Sequence, residues 1–183
     1  IYKCIQSTKS DAIIFSDFRH GIFNKTSIPI LINSIKRGVF KVADSQVASR
    51  WGNITDFKDF DLITPNEKEA RFSLADQDLS ISNLCTKLAT ETKFKNLILK
   101  LGERGIYSVA AGTYGFALPS FTNKVVDAVG AGDALLAYST LSLFATKSLL
   151  ISSILGSISA ACACENEGNI AVKPEQIIEK INS

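Results

Sequence analysis

The chain has 183 residues, of which 46% are hydrophobic and 21% charged, and its formal net charge is +2. This length and composition suit one globular domain with a substantial core. Lysines and arginines are scattered rather than clustered, which disfavours a nucleic-acid partner. No apolar run reaches the roughly 18 residues of a membrane span, and the N-terminal stretch IYKCIQSTKS lacks a signal-peptide pattern. We therefore expect a cytoplasmic protein with no membrane partner.

The cysteine pattern does not indicate a metal site or a disulfide framework. The chain has four cysteines and one histidine, His20, and no C-x-x-C pair. Cys162 and Cys164 are two residues apart on a predicted helix, so they point to different sides. We interpret the cysteines as buried free thiols of a reducing compartment.

The N-terminus suggests a longer polypeptide. The chain contains no methionine and opens at Ile1, close to a strand-like run. A processed chain and an isolated domain are alternatives, but we expect the C-terminal portion of a longer protein. We treat residues 1–183 as one domain.

Apolar strands alternate with helices along the chain. Strands are predicted at residues 12–16, 39–43, 61–64 and 96–101, followed by a hairpin pair, IYSVAA and TYGFALP, across Gly112. Helices are predicted for SIPILINSIKRG, for NEKEARFSL, for residues 80–92, 133–146 and 148–164, and from Pro174 onward. In NEKEARFSL, Asn66 is the predicted N-cap and Glu69 completes a capping box.

This alternation predicts an α/β fold with a mainly parallel sheet. Ligands of such sheets bind beyond the carboxyl ends of the strands. The polar or small residues just after the predicted strands are therefore candidates for a site: Asp17, Asp44, Asn66, Glu69 and Gly102.

The stretch VVDAVGAGDALLA, residues 125–137, contains a glycine turn before an apolar helix. Glycines allow close approach of a ligand, and the unpaired N–H groups of a helix start suit a phosphate or a developing anion. Asp133 would repel an anion but suits a base that takes a proton from an attacking hydroxyl. The alternative from the turn alone is that Gly130 and Gly132 shape an ordinary turn and Asp133 caps the helix.

Three motifs together resemble the ribokinase-like (PfkB) carbohydrate kinases. The family signature D-T-x-G-A-G-D is matched by Asp127, Gly130, Ala131, Gly132 and Asp133, with Ala128 replacing the threonine. TPNEKEA contains the family's N-x-x-E in Asn66 and Glu69, and LKLGERGIYSV resembles its strand and glycine turn near ATP. DSQVASRW is a poorer match to D-P-N-x-R-x-x-W.

The resemblance implies a three-layer α/β/α sandwich that lacks the family's N-terminal sugar-binding part and lid. It implies ATP and Mg²⁺ as cofactors and a homodimer as one option for the full-length protein. The resemblance implies Asp133 as the base and the backbone N–H groups of Gly130, Ala131, Gly132 and Asp133 as the anion hole. It also implies that Asn66 and Glu69 hold Mg²⁺ through water and that Asp127 is a structural or metal-side support.

On the nucleotide side, the resemblance implies that Gly102 and Gly105 allow close approach of the backbone and that Ser157 lies near the adenine, which packs against residues 157–168. On the sugar side it implies Asp17, with Arg19 and His20.

Lys100 stands where the family often has a threonine, so it either adds positive charge for a phosphate or extends along the strand end into solvent.

SDFRHGIF and DLITPNEKEA resemble the heptose-phosphate kinases most closely. The predicted function is ATP-dependent transfer to a hydroxyl of a sugar or sugar phosphate, such as a heptose 7-phosphate. A non-catalytic nucleotide-binding module and a nucleoside kinase of the same fold are the alternatives.

Overall fold

The computed structural model describes residues 1–18, 20–45 and 54–183. Its strands are β1 (Ala12–Asp17), β2 (Phe40–Ser45), β3 (Leu62–Ile63), β4 (Asn96–Lys100), β5 (Ile106–Ala110) and β6 (Phe116–Leu118). Its helices are α1 (Tyr2–Ser7), α2 (Ser27–Asn33), α3 (Glu67–Ser73), α4 (Ile81–Thr92), α5 (Ala131–Thr146), α6 (Leu149–Cys164) and α7 (Pro174–Asn182).

The strands hydrogen-bond in the order β1-β2-β3-β4-β5-β6. The β1–β2, β2–β3 and β3–β4 pairs are parallel, with Ala12 opposite Phe40 at the start of the first pair. β5 and β6 are antiparallel, with Ile106 opposite Leu118. The predicted α/β class with a mainly parallel sheet is therefore confirmed, and the antiparallel hairpin was predicted at its observed position.

The chain divides into two compact units. The first comprises Ile1–Leu99 and Val109–Thr113, and the second comprises Lys100–Ser108 and Tyr114–Ser183. In the first unit, Phe15, Phe57 and Phe60 are buried and their rings pack edge to face at centroid distances of 5.5 to 6.1 Å. Buried apolar side chains of β2, β3 and β4 complete this core. Parallel strands that are covered on both faces have apolar side chains on both faces.

Helices α5 and α6 form the centre of the second unit. A loop of two residues joins them, and the Ser152 hydroxyl donates to the carbonyl of Ser139 at 2.8 Å. Gly156 allows this close packing, since a Cβ there would lie 3.0 Å from the Cβ of Ser139. Ile158 and Cys162 of α6 pack with Ile177 of α7.

Helix α1 was not predicted from the sequence, and none of its residues is buried. The expectation that all four cysteines are buried was wrong. Cys4 lies on this helix and is exposed, whereas Cys85 and Cys162 are buried as expected and Cys164 is half-buried; all four are free thiols. Arg19 and most of DSQVASRW, including Trp51, lie outside the described residues. Within the described part of the chain, no helix has the length and apolar character needed to span a bilayer.

Candidate active site

The glycine turn opens α5 at Gly130. Gly130 is the N-cap with φ of 83°, a left-handed conformation that disfavours any side chain, and a Cβ there would collide with the Asn169 side chain. Helix α5 begins at Ala131, two residues before the predicted start, so Asp133 is the third helical residue. Because Gly130 is the cap, the alternative that Asp133 caps the helix is wrong.

The first turn of α5 leaves backbone donors open. The N–H of Ala134 donates to the carbonyl of Gly130 at 2.9 Å, and the N–H of Ala131 donates to the carbonyl of Ala128 at 3.3 Å. Among the described residues, nothing accepts a hydrogen bond from the N–H of Gly132 or Asp133. These two groups are the available donors for an anion at the positive end of the helix.

A cavity of about 590 Å³ in the second unit lies against this turn. It brings together several predicted site residues, namely Lys100, Gly102, Gly105, Ala131, Gly132 and Ser157. Its other lining residues include the segment 122–125, Ala128 and Cys164. Gly130, Asp127 and Asp133 are not among the lining residues.

The glycine turn after β4 forms one side of this cavity. Gly102 has φ of 63° and open space where its Cβ would be, so it exposes backbone at the cavity. Gly105 has a different reason to be glycine, because a Cβ there would collide with the backbone of Leu118 and Pro119. The N–H of Leu101 donates to the carbonyl of Gly105 at 2.8 Å, which closes the turn.

Asp127 stabilises the turn before α5 through two hydrogen bonds. Its carboxylate accepts from the N–H of Val129 at 2.9 Å and from the N–H of Gly168 at 3.2 Å. Both contacts are to backbone donors, and the role of Asp127 as a structural or metal-side support stays a prediction. No local pattern predicts the Gly168 contact, because the two residues are 41 positions apart.

In the first unit, Asn66 and Glu69 form the predicted capping box of α3. Glu69 Oε2 accepts from the Asn66 N–H and Oε1 accepts from the Asn66 side-chain amide, both at 2.6 Å. Asn66 Oδ1 accepts from the Glu69 N–H at 2.8 Å. Both carboxylate oxygens of Glu69 therefore already accept a hydrogen bond from Asn66.

This pair still suits a water-mediated Mg²⁺ site. Mg²⁺ usually retains several waters and takes one or two carboxylates together with phosphate oxygens. Glu69 is a buried carboxylate, and two residues before Asn66 the buried Thr64 hydroxyl has no hydrogen-bond partner among the described residues. Among the described residues, no cluster of three His, Cys, Asp or Glu side chains could bind a metal directly.

Asp17 lies at the carboxyl end of β1, opposite Ser45 of β2. It is 2% exposed, and its carboxylate accepts from the Ser45 hydroxyl at 3.4 Å. His20 is exposed. Asp17 is thus held inside the first unit, in the strand-end position that the sequence indicated.

Sequence reasoning missed the segment 122–125, which lines the cavity but belongs to no helix or strand, and Asn169, whose side chain lies against Gly130. Cys164, the last residue of α6 and part of the stretch expected near the adenine, also lines the cavity. Burial raises the pKa of Cys164, so its thiol is protonated at neutral pH. No local sequence pattern distinguishes these residues, since contacts distant in sequence determine their positions.

A mainly parallel α/β fold, with a glycine turn that opens a helix beside a cavity, is the arrangement expected of a ribokinase-like protein. Residues 32–176 match the family model described as pfkB family carbohydrate kinase. The chain therefore belongs to the pfkB carbohydrate kinase family, and the resemblance inferred from the three motifs is confirmed.

Two relatives found by sequence comparison are consistent with this family. The chain is 24% identical over 176 residues to the bifunctional protein HldE of Geobacter metallireducens, which covers 94% of this chain and 35% of that protein. It is 28% identical over 181 residues to HldE of Nitrobacter hamburgensis, covering 96% of this chain and 36% of that protein. The chain thus spans about a third of the length of these relatives.

Solved structures share the fold. Phosphofructokinase-2 of Escherichia coli in complex with potassium superposes with a TM-score of 0.84 at 18% identity, over 99% of this chain and 60% of that one. Ribokinase of Arabidopsis thaliana complexed with ribose and ATP gives 0.81 at 16% identity, over 100% and 58% of the two chains. At these identities the likeness concerns the fold alone.

Proposed function

We propose that the chain carries the nucleotide-binding and phosphoryl-transfer residues of an ATP-dependent kinase that acts on a hydroxyl of a sugar or sugar phosphate. One observation carries the proposal: the open N–H groups at the start of α5 and the Lys100 ammonium meet at Gly132, which lines the cavity of the second unit. Backbone N–H groups at a helix start, joined by a cation, suit the phosphates of a nucleotide.

In this proposal Asp133 is the base. It takes the proton of the acceptor hydroxyl as that oxygen attacks the γ-phosphorus, and the bond between that phosphorus and the β–γ bridging oxygen breaks with its electrons leaving on ADP. Among the described residues, no hydrogen bond or ion pair occupies the Asp133 side chain. An unpaired carboxylate in the first turn of a helix is available to accept a proton.

The backbone N–H groups of Gly132 and Asp133 are the proposed donors to the transferred phosphoryl group. The N–H groups of Gly130 and Ala131 were predicted with them, and the latter already has a long bond to Ala128. Such donors stabilise charge that develops on the equatorial oxygens in a loose transition state. Gly102, Gly105 and Ser157 would contact the nucleotide along the cavity wall.

In the first unit, Asn66 and Glu69 are proposed to bind Mg²⁺ through water. When bound, this ion supplies positive charge to phosphate oxygens. Asp17 is proposed as a contact of the acceptor. The resemblance of SDFRHGIF and DLITPNEKEA to heptose-phosphate kinases, together with the HldE relatives, supports a heptose phosphate as the acceptor.

Asp133→Asn, made in the full polypeptide that contains this chain, tests the proposal. We expect turnover to fall at least about a hundredfold, the range for loss of a general base, while ADP affinity stays within a factor of about two because the cavity lining is intact. Near-normal turnover would contradict the role of Asp133. Comparing a heptose phosphate, a simple sugar and a nucleoside as acceptors would then identify the substrate class.

Ala128 favours a second candidate, a non-catalytic nucleotide-binding module. It lines the cavity where the family signature has a threonine, so one hydroxyl near the ligand is absent. ADP binding without turnover of any acceptor by the full polypeptide would support this second function. Restoring the hydroxyl with Ala128→Thr would then show whether its loss is the cause.

A further inference from the structure

The segment 122–125 lines the cavity but belongs to no helix or strand. Its position therefore depends on contacts with neighbouring elements. The backbone N–H of Asn123, within this segment, donates to Glu165 Oε1 at 2.9 Å. A carboxylate that accepts from a backbone N–H makes a charge-assisted hydrogen bond, which is stronger than a neutral one.

Glu165 is itself held in place. Lys180 of α7 donates to the same oxygen, Oε1, at 2.6 Å, and the two side chains are 11% and 29% exposed for Lys180 and Glu165 respectively. Burial alone would raise the pKa of Glu165, but hydrogen bonds from Lys180 and from the backbone at Asn123 and Lys124 outweigh it and lower that pKa. Glu165 is thus an ionised group with a fixed geometry at neutral pH.

The end of α6 holds the same loop at a second point. Glu165 is the C-cap of α6 and directly follows Cys164. The carbonyl of Cys164 accepts from the N–H of Val126 at 2.8 Å and from the N–H of Asp127 at 3.1 Å. The end of α6 therefore fixes the chain on both sides of Val125, immediately before the glycine turn.

We infer that Glu165 is a positioning residue for the cavity: its side-chain oxygen accepts from the Asn123 backbone and so holds segment 122–125 in the shape that a nucleotide requires. The inference rests on the proposed function, because it takes the nucleotide as the ligand of the cavity. Glu165 is not itself a lining residue of that cavity. Its effect on binding is exerted through Asn123.

Three variants separate this role from a contribution to stability alone. Glu165→Ala removes the acceptor for Asn123 and the ion pair with Lys180. Glu165→Gln keeps a neutral oxygen that can accept from Asn123 but removes the ion pair. Lys180→Met removes the ion pair and leaves the Glu165 carboxylate for Asn123. Glu179→Ala is the matched control, an exposed glutamate beside Lys180.

ADP affinity and the free energy of unfolding are measured for each variant, by calorimetric titration and by urea denaturation. We expect Glu165→Ala to weaken ADP binding about tenfold, the order of the cost of losing a hydrogen bond to a charged group. Glu165→Gln should bind ADP within about twofold of wild type although it is destabilised as much as Lys180→Met. Glu179→Ala should match wild type in both measurements.

Three results would overturn the inference. If the loss of ADP affinity is proportional to the loss of unfolding free energy across all three variants, Glu165 contributes only to stability. An unchanged ADP affinity in Glu165→Ala, with wild type binding normally, would remove the inference and leave the proposed function intact. A folded wild-type chain that binds no ADP would instead contradict the proposed function, and the positioning role with it.

Discussion

The ammonium nitrogen of Lys100 lies 3.6 Å from the position that a Cβ atom on Gly132 would occupy. Both residues line the cavity of the second unit. The N–H groups of Gly132 and Asp133 point from the start of α5, where the helix dipole adds positive potential. This end of the cavity therefore combines a cation with open backbone donors, which is the reason for expecting a phosphate there.

Gly132→Ala separates stability from ligand binding. A Cβ at this position meets only the Lys100 ammonium at an ordinary contact distance, and alanine is the better helix former by up to about 1 kcal/mol. We therefore expect an unfolding free energy equal to or above that of wild type. The new methyl group blocks close approach of a phosphate, so ADP affinity should fall about tenfold or more. Titration with ADP and urea denaturation check the two effects; unimpaired ADP binding would mean that phosphates bind elsewhere.

Lys100→Met keeps the side-chain stem and removes the charge. We expect ADP affinity to fall by a factor of about three to ten, since one charge-assisted contact to a phosphate is lost. The dependence of ADP affinity on salt should also become weaker, because less charge remains to be screened. Lys58→Met, at an exposed lysine of the first unit, is the control. A salt dependence identical in Lys100→Met and wild type would show that Lys100 only extends into solvent.

Gly156→Ala tests the packing of α5 against α6. A Cβ at this position would lie 3.0 Å from the Cβ of Ser139 and 3.3 Å from the carbonyl oxygen of Leu135. The helices would have to separate, and overpacking of this kind costs about 1 to 3 kcal/mol. We expect the midpoint of urea unfolding to fall, in contrast to Gly132→Ala. A midpoint equal to that of wild type would show that the contact relaxes freely.

The cysteines should differ in reactivity. Burial raises the pKa of Cys85 to about 12, so at pH 8 only about one molecule in ten thousand carries the thiolate, the form that reacts. Cys4 is exposed. Alkylation of the folded chain with iodoacetamide at pH 8, followed by mass spectrometry, should label Cys4 first and leave Cys85 unlabelled until the chain unfolds. Early labelling of Cys85 would mean that α4 opens readily.

Local patterns predicted the parts of the molecule whose determinants are local. The capping box of Asn66 and Glu69 was recognised because its partners are three residues apart. Helix α1 was missed because six residues without a buried side chain carry no periodic signal. The start of α5 was placed two residues late, since glycines in its first turn resemble a loop.

Contacts that are distant in sequence could not be predicted in this way. The bond from Asn123 to Glu165 spans 42 positions, and the bond from Gly168 to Asp127 spans 41. The motifs predicted that Lys100 and Gly132 both lie near the nucleotide. Their proximity, with the Lys100 ammonium beside the first turn of α5, could be seen only in the fold. The roles of Asn66, Glu69 and Asp17 stay predictions.

Calorimetric titration of the folded chain with ADP, with and without Mg²⁺, tests the central claim most directly. We predict saturable binding of one ADP per chain, an affinity that Mg²⁺ changes, and loss of at least about tenfold in affinity in Gly132→Ala. Circular dichroism and cooperative unfolding establish that both chains are folded. Absence of binding by the folded wild-type chain, or equal binding by Gly132→Ala, would contradict the assignment of this cavity to a nucleotide.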